Sequence, residues 1–141
     1  MHLGVIGFGS IGRELFGLLG DLDITRIAVL VRAGRAETST EALQQIAPDL
    51  VARTTFVEQD ADFFAAAPDF VVEVAGHNAV EAYAAKVLQT GADLVVVSIG
   101  ALSDQSLHDA LLAAAKAGQA RLILPSGAVG GLDILAGLAP A

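Results

Sequence analysis

Cysteine is absent from the 141 residues, and so is tryptophan. Without cysteine there is no disulfide and no thiolate metal site. This is compatible with the reducing cytosol, and the chain is assigned to the cytoplasm. Cations are scarce. Eight Lys and Arg against 16 Asp and Glu leave a net charge of −8, which argues against nucleic acid or an anionic membrane as a partner. Long apolar runs are also missing, since none approaches the ~18 residues of a membrane-crossing helix. The first residues, MHLGVIGFGSIGREL, lack the basic segment and the unbroken apolar stretch of a secretory signal. No spacing of His, Asp and Glu suggests a metal site. Neither a G-x-S-x-G elbow nor a Ser-His-Asp pattern surrounds Ser98 or Ser126, which excludes the usual hydrolases.

What is present is apolar. Hydrophobic residues make up 54% of the chain and charged residues 17%, enough for a core and unlike a disordered segment. Short runs rich in Val, Ile and Leu suit strands buried on both faces of a parallel sheet. Strands are expected over residues 2–6, 26–31, 51–57, 70–74, 94–98 and 121–124, the third polar enough for a sheet edge. Helices are expected over 11–19, 38–46 (capped by Thr38 or Ser39 and stopped by Pro48), 60–67, 79–89 (Asn78 as a possible cap), 104–117 and 131–138. Strand and helix alternate throughout with short loops. The fold class is therefore α/β: one Rossmann-like, doubly wound parallel sheet of about six strands with helices on both faces, in a single domain over residues 1–141.

In such sheets a ligand sits at the carboxyl ends of the strands. The first strand ends in Gly7-Phe8-Gly9-Ser10-Ile11-Gly12, a G-x-G-x-x-G that opens a helix. Gly7 allows the tight turn, Gly9 lets a pyrophosphate approach the backbone, and Gly12 lets the helix pack on the strand. The fingerprint expects an acid about 20 residues on, to hold the ribose 2′-hydroxyl of NAD. Residues 30–33 are Leu-Val-Arg-Ala instead. Without a carboxylate to repel it, a 2′-phosphate can pair with Arg32 and Arg35, so the cofactor is NAD or NADP. Three further strand ends, VAGHN, VSIGAL and LPSGAVGG, place small residues where a cofactor must lie close to backbone. They bring in Ala75, Gly76, His77, Ser98, Gly100 and Ala128. His77 is read as a binding or capping residue and Glu73 as a partly buried, hydrogen-bonded support. His2 and His108 are placed on the surface.

The segments VIGFGSIG, VEVAGHNAV, VVVSIGAL and LPSGAVGGLD, in this order, resemble the N-terminal domain of the L-aspartate dehydrogenase family. The resemblance runs through essentially the whole chain. It implies oxidation of L-aspartate with NAD or NADP to iminoaspartate, which hydrolyses to oxaloacetate and ammonia or feeds NAD biosynthesis. It implies that Gly7, Gly9, Ser10, Ile11 and Gly12 cradle the pyrophosphate, that Ala75, Gly76 and His77 line the nicotinamide end, and that Ala128 matches an alanine touching NAD. An acid-free second strand end also occurs among members that use both cofactors. The family's second domain, with its N-A-N-V-A-type segment, catalytic histidine and most of its dimer interface, has no counterpart here. The chain is therefore read as part of a longer, homo-oligomeric enzyme, without a catalytic residue of its own and inactive alone. Two alternatives stand beside this reading: a free-standing NAD(P)-sensing module, and the cofactor domain of another amino-acid or semialdehyde dehydrogenase, such as one resembling homoserine dehydrogenase.

Overall fold

The computed structural model describes residues 1–126. The expected helix over 131–138 and the candidate Ala128 lie outside the described residues. Strand β1 (His2–Ile6) leads through helix α1 (Ser10–Leu18) to β2 (Arg26–Leu30), and helices α2 (Ala36–Ile46) and α3 (Pro48–Val51) lead on to β3 (Thr54–Val57). Then follow α4 (Asp60–Ala65), β4 (Phe70–Glu73), α5 (His77–Gln89), β5 (Asp93–Val96), a 3-10 turn (Ile99–Ser103), α6 (Gln105–Gly118) and β6 (Leu122–Ile123). The strands form one six-stranded sheet in the order β3-β2-β1-β4-β5-β6, and every pairing is parallel. The expected doubly wound architecture is the observed one.

Alternation along each strand sends neighbouring side chains to opposite faces. Leu3, Val5, Ile27, Val29 and Val72 pack with Leu15 and Phe16 of α1, Leu43 of α2 and Leu50 of α3. Their alternates Ile6, Ala28, Leu30, Val71 and Val96 pack with Phe63 of α4, Val80 and Leu88 of α5, and Leu111 of α6. Each fully buried side chain of this kind stabilises the fold by about 1.5–3 kcal/mol. With both faces apolar, burial alone does not fix the register of β1. Gly4 does: a Cβ there would stand 2.9 Å from both Phe63 Cζ and Pro68 Cγ, so the Phe63 ring fits over that one position.

The structure corrects several boundaries. Pro48, read as a stop, is the first residue of α3, where its missing N–H costs nothing, and β3 is accordingly shortened. Helix α2 begins at Ala36 rather than Thr38, and neither Thr38 nor Ser39 caps it; Ser39 is buried within the helix. Helix α5 starts at His77 with Gly76 as its N-cap residue, so Asn78 is already helical. The expected strand over 94–98 ends at Val96 and gives way to the 3-10 turn. Helix α6 starts at Gln105, and Asp104, expected as its first residue, is its cap instead: Asp104 Oδ1 accepts from the N–H groups of Ser106 and Leu107. His2 is buried rather than on the surface, because β1 is a central strand and its first residue is flanked by Arg26 of β2 and by Asp69, whose carboxylate accepts the His2 N–H. Burial first, and the nearby Arg26 charge second, push its pKa down. His108 is partly exposed.

From β1 the chain winds outward to β2 and β3, then returns to the other side of β1 for β4, β5 and β6. The direction reverses between β1 and β4, and the crevice at their carboxyl ends is where this fold class holds ligands.

Candidate functional site

At the carboxyl end of β1, Gly7 adopts φ +101°, and its N–H donates to the Leu30 carbonyl at 2.9 Å. A Cβ on Gly7 would stand 2.9 Å from Ala75 Cα. The turn after β1 and the turn after β4 are therefore in direct contact, possible only with glycine at this position. At Gly12 a Cβ would meet the Gly7 carbonyl oxygen at 3.0 Å, so the first turn of α1 lies tight against the strand end. Gly9 is different: a Cβ there meets nothing within 4 Å. Its open face is a space a ligand can enter. Helix α1 has no side-chain cap and no acid in its first turn, which leaves its N-terminal N–H groups and partial positive charge available to an anion. Ser10 and Ile11 are exposed beside this glycine cradle.

A cleft of about 370 Å³ continues from Gly9 towards β2, lined among others by Phe8, Arg13, Arg32, Arg35 and Thr38. Its floor is apolar. Phe8 is buried edge-on against Phe16 and Phe56, with ring centroids 5.2 and 4.9 Å apart. Its rim is cationic. Arg32 and Arg35 stand at the first and fourth positions of a turn whose third residue, Gly34, has φ +76°, and the Arg35 N–H donates to the Arg32 carbonyl at 3.1 Å. This is the geometry of a type II turn, which holds its two ends within about 7 Å. Arg13 joins them, its guanidinium 5.8 Å from the Phe8 ring centroid. Among the described residues the ion pairs are Lys86–Asp60 and Arg121–Asp93, so none of the three cleft arginines forms a salt bridge there. In a chain of net charge −8, three unpaired guanidinium groups on one cleft make a local anion site.

Sequence reasoning missed Arg13. The signal was present: Arg13 lies four residues after Gly9 and donates its backbone N–H to the Gly9 carbonyl at 2.9 Å, so it stands one helical turn above the glycine cradle.

The other half of the edge is organised by Glu73, the last residue of β4, which is 1% exposed. Its Oε1 accepts from the N–H groups of Ala75 at 2.7 Å and Gly76 at 2.8 Å, and from the Ser98 hydroxyl at 2.9 Å. Its Oε2 accepts from the Ser98 N–H at 3.1 Å. The support expected of Glu73 is thus observed, and it spans two strand ends. Ser98 spends its hydroxyl on this network. His77 opens α5 and is exposed, and its Nε2 lies 2.8 Å from where a Cβ on Gly100 would stand. The imidazole therefore rests directly on Gly100. Ala75, Gly76, His77, Ser98 and Gly100 form one shelf adjoining the glycine cradle, with Arg32 at the far end of the edge. No group of three or more potential metal ligands occurs among the described residues.

A second cleft, of about 360 Å³, lies at the opposite ends of the strands, between Phe63, Phe64, Pro68 and Thr90. It has neither the glycine cradle nor the cations, and it shares no lining residue with the cleft at the carboxyl edge.

Residues 7–125 match a family model described as homoserine dehydrogenase, NAD binding domain. Over 137 residues the chain is 38% identical to an L-aspartate dehydrogenase of Ralstonia pickettii, covering 96% of this chain and 49% of that protein. The crystal structure of aspartate dehydrogenase from Thermotoga maritima superposes with a TM-score of 0.65 at 25% identity, covering 97% of this chain and 50% of that one. A hyperthermophilic archaeal homoserine dehydrogenase solved with NADPH shares the fold at a TM-score of 0.60 and 20% identity, over 86% of this chain and 42% of its own. The chain spans about half the length of the curated relatives it matches. No described helix is long and apolar enough to cross a membrane. A glycine-cradled, cation-rimmed edge on a six-stranded parallel sheet agrees with these matches, and the chain belongs to the homoserine dehydrogenase NAD-binding-domain family, as a domain similar along nearly all of its length to that of L-aspartate dehydrogenases.

Proposed function

We propose that this chain is the cofactor half of a cytoplasmic L-aspartate dehydrogenase and binds NADP as well as NAD along the carboxyl edge of its sheet. The observation that carries the proposal is the open face of Gly9 leading into a cleft with three unpaired arginines. In this reading Gly7, Gly9, Ser10, Ile11 and Gly12 hold the pyrophosphate, and Arg32, with Arg35 and Arg13, holds the 2′-phosphate. Ala75, Gly76, His77, Ser98 and Gly100 form the shelf under the nicotinamide, and by likeness to the family Ala128 is a further contact to the cofactor. When bound, the nicotinamide supplies a hydride acceptor for the substrate. The Glu73 network supplies a fixed surface that orients the ring, so that the position of its reactive carbon is set before substrate arrives. L-Aspartate loses a hydride and a proton to give iminoaspartate, which water converts to oxaloacetate and ammonia. By likeness to the family, most of the groups that bind the two substrate carboxylates, the catalytic histidine and most of the surface that forms a homo-oligomer belong to the family's second domain. The chain alone therefore binds cofactor without oxidising aspartate. The family model keeps a homoserine-oxidising protein as the second reading, and turnover of L-aspartate against homoserine by the longer protein separates the two.

Calorimetric titration of the 141-residue chain with NADP and with NAD tests the cofactor assignment. The expected result is NADP binding at least as tight as NAD. Arg32→Asp should then weaken NADP by about tenfold or more, the worth of one charged hydrogen bond, and leave NAD within about twofold. Binding of NAD with no response to NADP would contradict it.

A further inference from the structure

The acid that the glycine fingerprint expects at the end of β2 is missing, but an acid does act on this loop from the neighbouring strand. Glu58 follows β3 directly, and its Oε1 accepts the N–H of Ala36, the first residue of α2, at 2.9 Å across 22 residues of sequence. Helix α2 has no side-chain cap of its own; its N-cap residue is Arg35. The N–H groups of Ala36, then of Gly34 and Arg35, hold the Glu58 carboxyl below the usual carboxylate range, which keeps it ionised at neutral pH. The Ala36 N–H thus bonds this carboxylate, and the N–H groups of Gly34 and Arg35 lie near enough to favour its charged form. The segment from Val31 to Ala36 is tied further by the Val31 N–H to the Val57 carbonyl, by the turn's own hydrogen bond from Arg35 to Arg32, and on its helical side by the Ser39 N–H and the Thr38 hydroxyl to the Arg35 carbonyl and the Thr40 hydroxyl to the Ala36 carbonyl.

We propose that Glu58 is a positioning residue for cofactor choice: by capping α2 from β3 it holds the Arg32–Arg35 turn in the shape that presents both guanidinium groups to a 2′-phosphate. The inference rests on the cofactor reading above and adds to it a residue that touches no ligand. Because Glu58 takes the Ala36 N–H and the Arg32 carbonyl takes that of Arg35, the phosphate is left to the arginine side chains, whose reach depends on the turn. NAD has no 2′-phosphate and does not use the turn.

The ratio of NADP to NAD affinity is therefore the readout, measured by titration of the 141-residue chain and its variants. Glu58→Ala should raise the NADP Kd about fivefold, as expected for loss of one helix cap, with the NAD Kd within about twofold. Glu58→Gln keeps an accepting oxygen and should fall between wild type and Glu58→Ala, which covers the case in which the alanine variant folds poorly. Glu37→Gln removes an equal charge from the first turn of the same helix and should leave NADP no weaker. If Glu58 acted only as a negative charge near the phosphate, its removal would tighten NADP. That result, or an unchanged NADP-to-NAD ratio while Arg32→Asp still weakens NADP, overturns the positioning role and leaves the cofactor reading intact. If Arg32→Asp also has no effect on NADP, the 2′-phosphate reading fails and the role of Glu58 falls with it.

Discussion

Glu73→Ala should cost about 3 kcal/mol of stability, the worth of one or two buried hydrogen bonds to a charged group, and should lower cofactor affinity by about tenfold or more. The carboxyl group satisfies three backbone N–H groups and one hydroxyl, and so ties the turn after β4 to the end of β5. Alanine leaves those donors facing a buried space on the core side of the shelf. The isosteric Glu73→Gln separates shape from chemistry. Every partner donates to Glu73, so an amide must turn its NH₂ towards at least one N–H group, and this variant should lose about 1–2 kcal/mol. Chemical denaturation checks the stabilities, and titration with NADP checks the affinities. A Gln variant as stable as wild type would mean that the carboxyl group is not what ties the two strand ends.

The glycines of the first turn should divide into two kinds. Gly7→Ala places a side chain at φ +101° and 2.9 Å from the Ala75 backbone, so it should destabilise the fold by about 2–4 kcal/mol through backbone strain and overlap. Gly9→Ala meets no protein atom within 4 Å. It should leave stability within about 0.5 kcal/mol, as for other surface changes, and still weaken both NADP and NAD by about tenfold or more, because the new methyl group occupies the space through which the pyrophosphate approaches the backbone. Thermal melts beside titrations give both numbers. A Gly9→Ala variant that binds as well as wild type would remove the pyrophosphate from this turn.

Much of this was legible in the residues because the determinants are local. Runs such as Val-Val-Glu-Val and Leu-Val-Val-Val mark strands buried on both faces, and the glycine turn names its own position in the fold. What sequence did not reveal is set by tertiary contact. The cap of α2 comes from Glu58, just past the end of the next strand, so Thr38 and Ser39 looked like better candidates than they are. His2 is polar and near the terminus, but β1 is central, and its neighbours bury it. Pro48 carries the same signal for stopping one helix as for starting the next. Arg13 becomes a cleft residue only when the turn after β2 is brought beside α1. Partial burial and hydrogen bonding of Glu73 were expected from its place inside a strand, whereas its grip on Ser98 depends on β5 lying next to β4.

The most direct test of the central claim is to record amide proton–nitrogen spectra of the isotope-labelled 141-residue chain during titration with NADP. The account predicts shifts confined to the carboxyl edge: Gly7, Gly9, Ser10, Arg32, Arg35, Gly76, His77 and Gly100. Shifts gathered instead around Phe63, Phe64 and Thr90, in the cleft at the opposite ends of the strands, would contradict it.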